Sequence, residues 1–137
     1  MGAALLRISM GVLFLGHVGL RLTVITWPVA MQFFQSLGLP WFIAYAVTIT
    51  EACVGILLVI GWHVRMAALA GAVILIGATV LVHGANGFLF TNEGGGWEYP
   101  AFWAVALISQ SMLGAGCWSV ASARDKTAQG NSGTDLA

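Results

Sequence analysis

Four long stretches of this chain are almost wholly apolar, and short polar or glycine-rich segments separate them. A helix needs about 20 apolar residues to cross the hydrocarbon core of a membrane. The stretches run roughly from Leu5 to Thr26, Trp41 to Ile60, Arg65 to His83 and Pro100 to Val120. Trp27-Pro28 closes the first, and Pro40-Trp41 opens the second. Gly61-Trp62 closes the second, and Tyr99-Pro100 opens the fourth. Proline suits a helix start, where its missing N–H is not needed. Trp and Tyr at these ends match an interfacial aromatic belt. The pattern predicts an all-α, integral membrane four-helix up-down bundle.

The segments between differ in kind. Residues 28–40 are themselves apolar and predict a short helix along the membrane surface. Residues 84–99 carry Asn86-Gly87 and Gly94-Gly95-Gly96, which predict turns and mobility. Residues 121–137 are small and polar and predict a disordered tail beyond a domain of residues 1–120. The first stretch has Arg7 before its apolar run, as a signal peptide would. The run is too long for one, Arg21 interrupts its far end, and no small-x-small cleavage site follows, so it reads as a retained helix.

Composition agrees with the pattern. Apolar residues make up 59% of the 137 positions and charged ones 7%. A soluble domain carries about 25% charged residues, so this chain could not cover a soluble surface. Five basic and five acidic residues cancel, which leaves no basic field for nucleic acid. Arg7, Arg65, Arg124 and Lys126 lie at one set of segment ends, whereas 27–40 and 84–99 contain no Lys or Arg. The positive-inside rule then puts both termini and the 61–65 turn in the cytoplasm.

Cys53 and Cys117 form no C-x-x-C pair. Helical rise puts them roughly 18 and 26 Å below the outer face, too far apart in depth for easy disulfide geometry. They read as two small buried apolar residues.

Ionisable side chains inside a membrane helix are costly and are functional candidates by default. His17 and Arg21, four apart, share one face of the first segment, and Phe14 and Met10 extend it. Glu51 falls near the middle of the second, flanked by Thr48 and Gly55. His83 ends the third, one turn after Thr79. Ser109, Gln110 and Ser111 lie at mid-depth in the fourth, and Glu98 just before it. His63 reads separately, as an interface residue of the 61–65 turn. An up-down bundle therefore predicts a polar core in its outer half, made of His17, Arg21, Glu51, His83, Glu98 and Gln110.

Three readings stay open for that core. It is a structural Arg21–Glu51 ion pair with histidines completing the network. Or His17, His83 and Glu51 form a two-histidine, one-carboxylate metal site. Or it receives a polar ring such as a quinone. A quinone carbonyl would accept a hydrogen bond from His or Arg, and Glu51 would carry a proton. Phe14, Phe88 and Trp97 would then supply ring contacts.

Across residues 5–120 the ordered motifs resemble the DoxX family of small four-helix membrane proteins. The first segment has Leu6-Arg7, Gly11, Leu13-Phe14 and His17 followed by Arg21. Then come Phe33-Phe34-Gln35-Ser36-Leu37-Gly38-Leu39-Pro40, Glu51-x-x-x-Gly55 and Leu58-x-x-Gly61. His83, Asn86-Gly87-Phe88 and Gly95-Gly96-Trp97-Glu98 follow. Near the end, Gly114-Ala115-Gly116 has alanine where the family pattern has proline, and Ala121 stands where an acidic residue often closes the motif. The resemblance implies redox metabolism. The family takes its name from a subunit of a terminal quinol oxidase, and relatives are associated with thiosulfate–quinone chemistry, oxidative stress and quinone or catechol detoxification.

The expectation is therefore a multi-pass subunit of the bacterial inner membrane that binds a quinone or small electrophile. His17 and Glu51 would be catalytic. Arg21, His83, Gln110 and Phe14 would bind the ligand, with Trp97 and Glu98 as a lid. No haem-attachment, dinucleotide or iron–sulfur pattern is present, so a redox partner protein would exchange the electrons. Membrane lipids and a second copy of the chain are the other expected partners. The rival expectations are a non-catalytic anchor or assembly subunit of a redox complex, and a small transporter or metal-handling protein.

Overall fold

The computed structural model of the protein describes residues 1–120; the expected disordered tail lies outside the described residues. Five α-helices are present, and no strand occurs among the described residues. The first, α1 (Gly2–Leu20), buries Ala4, Arg7, Gly11 and Phe14, three or four residues apart on one face. It runs on as one π-helical turn, Arg21–Ile25, in which the Thr26 N–H donates to the Arg21 carbonyl at 3.1 Å. Thr26 then takes φ 64°, rare for a β-branched residue, and the chain reverses into α2 (Trp27–Ser36), with Pro28 in its first turn. The short helix expected after residue 27 is thus present. Trp27 stacks on Tyr45 at 4.3 Å and fastens α2 to the next helix.

That helix, α3 (Ile43–Ile60), buries Ala44, Thr48, Glu51, Gly55 and Leu58. It stops at Gly61, whose left-handed φ of 76° is a normal helix end for glycine. The helix α4 (Val64–Ala78) continues through a second π-helical turn, Thr79–His83, and a 3₁₀ turn, Gly84–Asn86. The last helix is α5 (Glu98–Leu113). It ends at Leu113, not near residue 120 as the apolar run predicts. Gly114 takes φ 78°, ψ −161°, and the chain leaves the helical path.

The long helices pack in the order α1–α3–α4–α5, and α5 also touches α1. Met10, Phe14, Leu58, Leu75, Trp103 and Leu107 fill the centre. At the α1–α3 contact, a Cβ on Gly11 would lie 2.8 Å from the Gly55 carbonyl oxygen. Small residues let two backbones approach this closely. Outside, Leu5, Val12, Ile49, Ile56, Val73 and Phe102 are exposed. So extensive an apolar surface needs a lipid or protein cover. Residues 2–25, 43–60 and 64–86 form three helices long and apolar enough to cross a membrane. At 16 residues α5 is shorter.

Arg7 corrects the expectation of an orienting charge at the membrane edge. Its side chain is fully buried. Nη1 donates to the Leu58 and Val59 carbonyls at 2.5 and 2.7 Å, Nη2 to Trp118 O at 2.8 Å and Nε to Ala115 O at 3.1 Å. The last carbonyls of a helix lack intrahelical partners, and a cation there also opposes the helix dipole. Arg7 thus ties the end of α3 to the segment after α5. The cysteines are also corrected. Both are free thiols; Cys53 is exposed on the helix surface and Cys117 is half-buried.

Candidate functional site

At the end of the molecule opposite Arg7, the helices part around a cavity of about 660 Å³. Every helix contributes to its wall. His17 and Arg21 come from α1 and its π-helical turn, Phe33 and Phe34 from α2, and Glu51 from the middle of α3. His83 comes from the π-helical turn after α4, and Tyr99 and Trp103 from α5. Two of these side chains, Arg21 and His83, thus sit on π-helical turns. Such turns widen the backbone, shift the side chains that follow and are frequent at functional sites.

Arg21 and Glu51 form an ion pair across α1 and α3, with side chains 15% and 8% exposed. The same Arg21 Nη1 donates to Thr48 Oγ1 at 2.9 Å, one turn before Glu51. Thr48 in turn donates to the Ala44 carbonyl at 2.7 Å, which fixes its hydroxyl. The charges therefore arrive already paired at the polar side of an otherwise apolar space.

The two histidines are oriented alike. His17 Nδ1 lies 3.1 Å from the Leu13 carbonyl oxygen, and His83 Nδ1 lies 2.9 Å from that of Gly95. A carbonyl oxygen only accepts, so each Nδ1 carries the hydrogen. In the neutral ring Nε2 is then a bare acceptor.

The loop after α4 is tied down instead of open. Asn86 Nδ2 donates to the carbonyls of Gly94 and Gly95 at 3.0 and 3.1 Å, and Asn92 Nδ2 to Asn86 O at 2.8 Å. The Trp97 N–H reaches the Gly87 carbonyl at 3.1 Å. These bonds hold Gly95, and through it His83, against the cavity.

Four expected ligand-binding residues lie off the cavity wall. Phe14 is buried beneath it, its ring 5.0 Å from Trp103. Trp97 and Glu98 line a separate shallow groove with Phe88 and Phe102. There the Glu98 carboxylate accepts from the Phe90 N–H at 2.8 Å, and Trp97 packs edge-on against Phe88. Gln110 is fully buried near the Arg7 end, its Nε2 donating to Gly114 O at 2.7 Å. The early end of α5 places it one turn from the helix terminus instead of at mid-depth. Ser109 and Ser111 bond to carbonyls of their own helix. His17, His83 and Glu51 make no group able to hold a metal ion among the described residues. His63, in the turn before α4, stays apart and packs against Trp62.

Trp103 was not singled out from the sequence. It lies only three residues after Pro100, so in the sequence it reads as one more tryptophan of the interfacial belt.

Residues 2–84 match the sequence model of the DoxX family. The chain belongs to this family of membrane proteins. The motifs after residue 84 lie beyond the matched region. The chain is also similar to a Bacillus subtilis (strain 168) protein named "Putative oxidoreductase CatD", with 35% identity over 86 residues. The alignment covers 59% of each chain, so this chain spans about three fifths of that relative's length. No solved structure matches.

Proposed function

We propose that this protein is a four-helix bundle of the bacterial inner membrane that binds a quinone-type ring or a small electrophile in the cavity. It would serve an oxidoreductase system in which a partner protein exchanges the electrons. The observation that carries the reading is the cavity's division of labour. Its volume is in the range of pockets that hold small ligands, about 300–1,000 Å³. Its walls are chiefly aromatic and aliphatic, with Arg21, Glu51, His17, His83 and the Tyr99 phenol as its ionisable groups. The oxidoreductase name of the similar protein favours a redox setting.

In this reading α5 is the fourth span, and the Arg7 end faces the cytoplasm with both termini. The cavity then lies in the outer half of the membrane, within reach of lipid-dissolved molecules. The apolar wall holds the ring and excludes water. Arg21 holds negative charge on a ring oxygen. Glu51, held by Arg21, and the bare Nε2 atoms of the histidines accept or return protons as the ring changes oxidation state.

A non-catalytic role in assembling a redox complex is the second reading. The Arg21–Glu51 pair favours it, because an ion pair across two helices also fixes their register. One experiment separates the two. The protein is purified with lipids of its own membrane, and bound quinone is extracted and measured. The first reading expects quinone with the parent chain and its loss in Glu51→Gln and His17→Ala. Variants that retain quinone as the parent does would overturn the site assignment. Obligate co-purification of a larger protein, lost in Glu51→Gln, would support the second reading.

A further inference from the structure

We propose that the shallow groove between α5 and the loop before it holds the head of a phospholipid that carries an ammonium group. This site is separate from the cavity and does not rest on the reading of the cavity as a ring-binding site. The rings of Phe88, Phe90, Trp97, Tyr99 and Phe102 line the groove, and Glu98 supplies its charge. Trp97 meets Phe88 nearly at a right angle, 78° at 4.9 Å, and Phe90 meets Tyr99 at 48° and 6.3 Å. Rings set at such angles present faces and edges from several directions. Aromatic cages that take up alkylammonium ions are built in this way. All five rings are exposed, so a ligand can reach them.

Charge selects a cation here. One oxygen of Glu98 accepts the Phe90 N–H at 2.8 Å, which fixes the carboxylate beside the rings. Glu98 has no cationic partner among the described residues. The loops 27–40 and 84–99 contain no Lys or Arg, and Glu93 adds a second negative charge to the same loop. An ammonium group would meet the carboxylate and the ring faces together. A head that is only anionic would meet the Glu98 charge with no basic side chain to offset it. The shape of the groove favours a lipid over a free ion. It continues down α5 past Phe102 to Val105, and both are exposed on the apolar surface that needs a cover. Acyl chains would therefore follow the head along the helix. The Trp97 indole and the Tyr99 hydroxyl bring an N–H and an O–H donor to the same place, which suits the phosphate next to the ammonium.

The test uses the full chain in vesicles of phosphatidylethanolamine and phosphatidylglycerol in equal amounts, with matched acyl chains. Native mass spectrometry then counts the lipids that the protein retains. The parent is expected to retain the ethanolamine lipid about fivefold more often than the glycerol lipid, the scale of one exposed ion pair with ring contacts. Glu98→Gln keeps an acceptor for the Phe90 N–H and removes the charge, so the two lipids should then be retained about equally. Trp97→Leu removes one ring and should lower the preference about threefold. Glu93→Gln removes a charge of the same loop that does not line the groove, and should leave the preference unchanged. Equal retention of both lipids by the parent would overturn the inference. So would a preference that survives Glu98→Gln, or one that Glu93→Gln abolishes. Displacement of the retained lipid by millimolar phosphoethanolamine would point to a water-borne ammonium ion and overturn the lipid assignment. The ratio measured on the parent needs no variant to fold.

Discussion

At the scale of single residues, the cavity depends on a charged pair held between two helices. Arg21 donates to both Thr48 and Glu51, and both charged side chains are largely withdrawn from the surface. Removing one partner leaves the other charge uncompensated, which costs about 3 kcal/mol or more at buried sites. Glu51→Gln is therefore expected to lower stability by about that amount, measured by thermal unfolding in lipid or detergent. Replacing both partners, as Arg21→Met with Glu51→Leu, should recover most of the loss, because no lone charge remains. A double-mutant cycle then gives the coupling between the two side chains directly. The same double variant should lose the ring binding proposed above, which separates the pair's contribution to folding from its contribution to the site.

At the scale of elements, the approach of α1 to α3 sets where that pair can form. The two backbones meet at Gly11 and Gly55. A methyl group on Gly11 would meet both the Gly55 carbonyl and the Val59 backbone nitrogen, neither of which can swing away. Gly11→Ala should therefore cost about 1–3 kcal/mol, as overpacking does, and should shift Arg21 away from Glu51. Gly16, on the same helix, has open space around its Cβ position. Gly16→Ala should stay within about 0.5 kcal/mol of the parent. Unfolding curves of the two variants, measured together, test whether close approach and not general helix propensity governs this contact. The helix α2 belongs to the same scale. Its stacking of Trp27 on Tyr45 brings Phe33 and Phe34 over the cavity. Tyr45→Ala should loosen that cover and speed ligand release more than it lowers overall stability, as dissociation rates would report.

At the scale of the whole molecule, the two ends are built differently. One is open and holds the cavity. The other is closed by Arg7, which gathers carbonyls from α3 and from the chain beyond α5. A Cβ at Gly61 would run into the Arg7 guanidinium and Ser119, so the turn between α3 and α4 is shaped to admit this lock. Arg7→Met is expected to free those carbonyls and loosen the segment that carries Cys117. Alkylation of Cys117 should then rise by roughly tenfold or more as local opening becomes easier, with Cys53, already exposed, as the internal reference. The same reagent in a membrane-impermeant form tests the orientation. Cys117 should react in inverted membrane vesicles and stay protected in intact cells.

The helical architecture was legible in the order of residues because it follows from two local facts. Apolar runs of this length cannot stay in water, and backbone groups in lipid must satisfy one another within a helix. His17, Arg21, Glu51 and His83 were legible for a related reason: ionisable groups in such runs are few and expensive, so each is a candidate for a site. Their distribution between neighbours was not. Arg7 and Arg21 both lie in the first apolar segment, and their neighbours in sequence do not say that one locks a closed end while the other pairs with Glu51. Gln110 seemed to share the depth of the site only because composition does not announce where α5 stops. Trp97, Glu98 and Phe14 are near the cavity in sequence or height, yet their side chains turn to the loop or the core. The tautomers of His17 and His83 were invisible for the same reason. Hydrogen-bond direction depends on which carbonyl lies opposite a ring, and only the packed helices bring those atoms together. Sequence by itself determined which segments leave water and which polar groups must be covered, because transfer free energy is local. Tertiary structure decided which groups meet and which are left unpaired, because a partner comes from another helix.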